Sequence, residues 1–204
     1  MSFHGETYWM PKYFDQVSTA VDEVWSHLGK EIRLATPLGL GKPNFFLNEL
    51  YARAKANPNL NLKFYTALSL APPESGSNEL AKRFLNPFAE RMWGKDYPVL
   101  DYSRDAEKNR LPKNVSVHEF YFRAGSALGS NGMQGDYQSI NYTHVAEAVY
   151  NDDIQLIVQM VARNADSSVK KLSLGCNPDV TLDLIDLYKA SGKKVLRVAV
   201  IHPD

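Results

Sequence analysis

The stretch that decides the fold is Ile32-Arg33-Leu34-Ala35-Thr36-Pro37-Leu38-Gly39-Leu40-Gly41-Lys42-Pro43, followed by Phe46, Leu47, Leu50, Tyr51 and Ala54 at helical spacing. Ile32 to Ala35 reads as a short strand, and Pro37 to Pro43 as a turn. Pro43 suits a first helical position, because the N–H it lacks would be unbonded there anyway. The apolar spacing predicts a helix from there to about Ala56, which Asn57-Pro58 ends. Strand, tight turn and helix open a βαβ unit, and Leu62 to Leu70 is the next strand that such a unit requires.

The same reading extends in both directions. Upstream, Val17, Ala20, Val21, Val24, Trp25 and Leu28 predict a helix over about Asp15–Leu28, stopped at Gly29. Downstream, Ala71 to Gly76 is a loop, and Asn78 caps a short helix that Pro87 breaks or kinks. Asp96 to Pro112 is polar and reads as a surface helix plus loop. Val115 to Phe122 is a third strand, and Gly125 to Gly135 a long Gly- and Ser-rich loop. Thr143–Tyr150 is a short helix. Ile154–Val161, Lys171–Leu174 and Val195–Ile201 are strands, with a helix over Asp179–Ser191. Strands alternating with helices predict an α/β fold in three layers, a mainly parallel sheet with helices on both faces. The nearly continuous apolar runs Leu156–Val161 and Val195–Ile201 predict strands covered on both faces. In such sheets ligands gather at the carboxyl ends of the strands, beside helix N-termini.

The 204 residues suit one α/β domain spanning 1–204. Lys+Arg and Asp+Glu are both 23, so the net charge is zero, which argues against a nucleic-acid module. Cys176 is the only cysteine, so neither an internal disulfide nor a Cys-rich zinc site can form. This usage fits a reducing cytoplasm. No segment approaches the ~20 apolar residues of a membrane span. Met1 to Pro11 lacks the basic and apolar regions of a signal peptide. Val195–Ile201 reads as a buried strand and the sequence stops three residues later, after His202-Pro203-Asp204, which hints that the chain is a piece of something longer.

Candidate sites lie at the strand-to-helix turns. Gly39-Leu40-Gly41-Lys42-Pro43 lets backbone approach an anion or carbonyl oxygen. It matches neither a dinucleotide fingerprint nor a Walker loop, and from spacing alone a plain tight strand-to-helix turn is the stronger reading. Thr66 and Ser69, near the end of the second strand, offer hydroxyls to a substrate or to neighbouring backbone. Cys176 precedes Asn177-Pro178-Asp179 at a helix start. That placement lowers a thiol pKa, although a structural turn with a small buried thiol is the stronger reading. His118 and Glu119, adjacent on a strand, point to opposite faces and cannot share a site. Glu119 alone reads as a paired structural carboxylate before an acid or base. Arg123 reads as a phosphate or carboxylate ligand or as a paired strand-end arginine, and no metal-ligand spacing is evident.

In serial order, these motifs resemble the amino-terminal half of the acetyl-CoA hydrolase/transferase family, the class I CoA-transferases. The resemblance runs through Gly39–Pro43, Leu62–Ser69, Val117–Ser126 and Gln134-Gly135-Asp136-Tyr137-Gln138-Ser139-Ile140-Asn141-Tyr142. It continues through Ile154–Ala162 and Leu172-Ser173-Leu174-Gly175 to the last strand. It implies a fold of the sugar-isomerase and CoA-transferase type in which two halves face each other across the active site. A glutamate of the second half attacks the acyl-CoA thioester and forms a glutamyl-CoA intermediate. The resemblance makes this chain the half without that nucleophile, with Gly39, Leu40, Gly41, Lys42 and Ser69 shaping the acyl and small-acid pocket.

The expected partners are an acyl-CoA, a small carboxylate and a carboxy-terminal CoA-transferase half, with coenzyme A as substrate and no separate cofactor. A homodimer is also expected, because a lone half exposes its docking face. The alternative is a non-catalytic α/β module that binds a small acid or a partner domain. A sugar-phosphate isomerase would need an acid/base pair and a phosphate loop within the chain, and the sequence reveals neither.

Overall fold

The computed structural model describes residues 11–164, 166, 171–175 and 177–202. The expectations placed on residues 1–10, on Cys176 and on Pro203-Asp204 lie outside them. The elements in chain order are α1 (Val17–Leu28), β1 (Glu31–Ala35), a single 3₁₀ turn (Gly39–Gly41), α2 (Asn44–Ala56) and β2 (Asn61–Thr66). There follow α3 (Glu79–Trp93), α4 (Asp101–Glu107), β3 (Val115–Glu119), α5 (Asn131–Gly135), a second 3₁₀ turn (Tyr142–His144) and α6 (Val145–Asn151). The last four are β4 (Leu156–Arg163), β5 (Leu172–Ser173), α7 (Thr181–Ser191) and β6 (Leu196–Ile201).

Five strands form a parallel sheet in the order β3-β2-β1-β4-β6, and β5 pairs antiparallel with the end of β4. Side chains alternate across each strand and so divide the core in two. Ile32, Leu34, Leu62, Phe64, Val115, Val117, Leu156 and Val158 face α1, α2 and α4, where Val21, Val24, Phe46, Leu47, Leu50, Tyr51, Leu100 and Tyr102 cover them. Ala35, Tyr65 and Ile157 face the other way, under Val145 and Val149 of α6 and Leu184 and Tyr188 of α7. The protein is therefore a three-layer α/β domain with a mainly parallel sheet, as the strand and helix alternation predicts. The order changes direction at β1, whose neighbours β2 and β4 are reached by crossovers leading opposite ways.

Several boundaries differ from the sequence reading. β2 ends at Thr66 instead of Leu70, because the next residues bond to loops: the Leu68 N–H donates to Tyr121 O (2.6 Å) and Leu68 O accepts from the Gly39 N–H (3.2 Å). β3 likewise stops at Glu119, and α5 occupies part of the Gly-rich loop. The polar segment after Asp96 is not all surface, since Leu100, Tyr102, Asp105 and Ala106 are buried. α3 runs through Pro87 to Trp93. Its carbonyl at Arg83 loses one helical bond there and is left to solvent, because the helix buries no residue. β5 has only two residues and runs antiparallel. β6 is not covered on both faces: Arg197 and Ala199 are exposed, and its apolar residues are half-buried.

Candidate functional site

The carboxyl ends of β1, β2 and β3 meet at one rim. The β2–β3 register pairs Thr66 with Glu119, so the residues just past β2 lie beside the last residue of β3. Glu119 continues the Val115, Val117 alternation and takes an inward position normally filled by an apolar side chain. It is only 6 % exposed. Ser69 answers its charge: the Ser69 hydroxyl donates to Glu119 Oε1 at 2.6 Å. Ser69 Oγ also lies 3.0 Å from the hydroxyl of Tyr102. With the serine proton committed to the carboxylate, Tyr102 must be the donor, giving a relay Tyr102 → Ser69 → Glu119. Burial pushes the Glu119 carboxyl above the usual carboxylate range, against the Ser69 hydrogen bonds and the charge of Lys42. Burial also holds the Tyr102 phenol well above its ordinary value.

Lys42 is the second buried charge, 3 % exposed. Its ammonium donates to Ala67 O at 2.5 Å and to Leu68 O at 3.4 Å. Burial pushes its pKa down to about 7, with Glu119 and Asp179 working in the opposite direction. Lys42 and the Gly39 N–H together tie the β1 turn to the β2 turn.

The glycine turn itself is closed. Gly39 has φ +58°, a left-handed conformation suited to glycine. A Cβ at Gly41 would lie 2.7 Å from Pro37 Cγ, 2.9 Å from Asn177 O and 3.1 Å from Gln159 Nε2. Glycine is thus required by the approach of the segment before α7. That segment grips the turn from the far side: Asn177 Nδ2 donates to Leu38 O, and Asp179 Oδ2 accepts from the Leu38 N–H at 2.8 Å. Asp179 also accepts from the Tyr142 hydroxyl at 2.5 Å. The switch point between β1 and β4, where doubly wound sheets usually take a ligand, is therefore filled by the chain itself.

Of the five sequence-predicted residues, Gly39, Gly41 and Lys42 are buried in this joint, Leu40 projects with 55 % exposure, and Ser69 is half-buried beside Glu119. Thr66 is satisfied by Pro37 O at 3.3 Å. His118 turns away from Glu119 and stacks on Tyr65, ring centroids 4.9 Å apart, as strand alternation requires. Arg123 approaches Glu107 at 3.8 Å, on the surface.

Two shallow recesses flank the joint, both partly open to solvent. One, about 260 Å³, is lined by Tyr102, Ser103, Glu119, Phe122 and Met133 among others. The other, about 310 Å³, lies where Thr36, Tyr65 and Phe120 face Asp179 and Thr181. Thr36 Oγ1 is buried there without a hydrogen-bond partner. Among the described residues, no group of three or more His, Cys, Asp or Glu is placed to hold a metal ion.

Tyr102 and Glu119 are the site residues that sequence reading missed as a pair with Ser69. The available signal was the carboxylate at the end of an apolar alternation, which demands a buried partner.

The rim is also apolar on the outside. Leu40, Phe45, Tyr121, Leu128, Tyr137 and Tyr142 are exposed large hydrophobics, and all lie in segments that follow the carboxyl end of a strand. Fold and site together define a doubly wound α/β domain with a polar joint at its carboxyl-end rim and exposed apolar side chains in the segments that follow the strand ends.

No family model matches the chain, and no curated protein matches it. Among solved structures, RipA from Yersinia pestis is similar at 12% identity and a TM-score of 0.44, over 70% of this chain and 28% of that one. A point mutant of RipA gives 12% identity and 0.43 over the same shares. The chain thus spans little more than a quarter of those proteins' length, and the likeness is too slight to bear on family or activity. Among the described residues, no helix is long and apolar enough to cross a membrane.

Proposed function

We propose that the chain is the amino-terminal half of a cytoplasmic acyl-CoA transferase or hydrolase. Its site is completed when a second α/β half covers the carboxyl-end rim. The order of motifs in the sequence supplies the family. The observation that carries the reading is the rim itself: Ser69 is held between Tyr102 and a buried Glu119 at the strand ends, and the segments that follow those ends expose large apolar residues.

On this reading the β1 and β2 turns are one wall of a cleft. Gly39, Gly41 and Lys42 fix the wall by locking the turns together, while Leu40 and Ser69 present the surface that meets the acyl group and the small carboxylate. The nucleophilic glutamate arrives on the opposite half and attacks the thioester carbonyl. That attack expels CoA thiolate and leaves an acyl–glutamyl anhydride. The thiolate then attacks the glutamyl carbonyl, releases the acyl carboxylate and forms glutamyl-CoA. Its CoA goes to an incoming carboxylate or, when water attacks, is released as the free thiol. The chain alone turns over little or no acyl-CoA.

The test is a chain extended through the second half, assayed with acetyl-CoA, succinate and acetate. CoA exchange or thioester hydrolysis is expected, with Ser69→Ala lowering kcat/KM for the carboxylate by ~10-fold or more, because the hydroxyl that holds Tyr102 and Glu119 in place is lost. Absence of both activities overturns the reading. A second reading, a non-catalytic module that binds a small acid or a partner domain, is favoured by the filled space around Gly41. Tight metabolite binding by this chain, with no CoA chemistry in the extended protein, selects it.

A further inference from the structure

The feature that the proposed chemistry does not use is α3. It is a fifteen-residue helix with no buried residue. Its body-side residues Ala81, Leu85, Ala89 and Trp93 are only half-covered. Its other side carries an apolar row at every fourth position: Leu80 (75 % exposed), Phe84 (75 %), Phe88 (47 %) and Met92 (62 %). With roughly 200 Å² per large apolar residue, these fractions leave about 500 Å² of apolar surface in one row. That is near the upper end of the largest patch on an ordinary monomer, about 300–600 Å².

We infer that this row is a dimer interface, α3 of one copy packing antiparallel on α3 of a second copy. Three observations select a second copy as occupant. The first is area: complete burial of two such rows would remove about 1,000 Å² from water, the size at which specific interfaces begin. The second is self-complementarity. A two-fold axis between Phe84 and Phe88 sets Leu80 of one copy against Met92 of the other, and Phe84 against Phe88. An isologous contact requires that symmetry of pairing. Rows spaced by four residues also interdigitate directly, at crossing angles of about −50°.

The third is charge. Lys82 is paired with Glu79 at 2.6 Å and Lys95 with Glu90 at 3.2 Å, within one chain. Helical spacing places Glu79, Lys82 and Glu90 on the side away from the row, so these ions stay in water. Arg91 alone shares the row's face, and its long stem can lie along the contact with the guanidinium at the margin. α3 follows the carboxyl end of β2, and the chain just after it is bonded back to the start of α2 (Asn44 to Tyr97, 3.1 Å), so the row borders the rim. The pairing is tested on this chain by itself, without CoA chemistry.

Sedimentation equilibrium of the chain over a concentration series tests the inference. A dimer is expected, and Phe84→Glu with Phe88→Glu raises its dissociation constant at least ~100-fold, because two central anchors are lost. Circular dichroism and thermal melting of the double variant check that the fold is kept. A cross-link separates geometry from mere stickiness. In a Cys176→Ser background, Phe84→Cys chains mixed with Phe88→Cys chains form disulfides across the pair faster than either variant with itself. A monomeric chain at ~100 μM, a dimer indifferent to the Glu variants, or cross-linking without that preference overturns the proposal.

Discussion

α2 and α3 read alike in the sequence and behave in opposite ways. Each spans about four turns and carries aromatic and aliphatic residues at intervals of three or four. α2 buries Phe46, Leu47, Leu50, Tyr51 and Ala54, while α3 buries none. The difference lies in the connections. α2 joins two strands that pair in register from Glu31↔Asn61 to Ala35↔Tyr65, and a crossover between neighbouring parallel strands must lie on the sheet. α3 sits in the longer connection from β2 to β3, where α4 takes the place on the sheet through Leu100, Tyr102 and Ala106. Amphipathic spacing reports that a helix has an apolar face. It does not report what covers that face.

The largest effect that would break this contrast is expected inside α2. Leu50→Ala empties a fully buried position and should lower unfolding free energy by about 2–5 kcal/mol, read by denaturant titration. A loss below about 1 kcal/mol would mean that α2 is held no more firmly than α3.

A smaller and pH-dependent effect is expected at Lys42, the tether just before α2. In the unfolded chain the lysine keeps its proton to about 10.5, whereas the folded protein releases it near 7. Between those values the unfolded state binds more protons, so Lys42 makes stability rise with pH across that window. Lys42→Met should flatten the rise in a series of melts from pH 6.5 to about 10. An unchanged slope would place the titration elsewhere.

The smallest effect is expected in α3. Phe84→Ala should change stability by no more than about 0.5 kcal/mol when melting is measured well below the dimer's dissociation constant. A loss of about 2 kcal/mol or more there would show that α3 shares the core after all.

The sheet and its layers were legible because they depend on local signals: the Ile32–Ala35 strand, the turn that follows and the apolar spacing of α2. The Lys171–Leu174 segment was legible as a strand but not in direction, because two residues hold no signal of orientation. The site was legible in part. Ser69 and the glycine turn stand at strand ends, where doubly wound sheets gather polar groups. Glu119 is fifty residues from Ser69, and only the β2–β3 register brings them together. The closure of Gly41 was likewise hidden, because Asn177 reaches it from beyond β4 and β5.

The outer strand has a consequence for how the protein resists aggregation when crowded. Among the described residues β6 pairs only with β4, so its far row of N–H and C=O groups is open to annealing by another chain. Lys193 and Lys194 stand just ahead of it, and Arg197 projects from its second rung. A second copy annealed along this edge would have to accommodate the exposed Arg197. That residue therefore acts as a gatekeeper on an otherwise Val- and Ile-rich strand, while Lys193 is held by Asp153 at 2.8 Å.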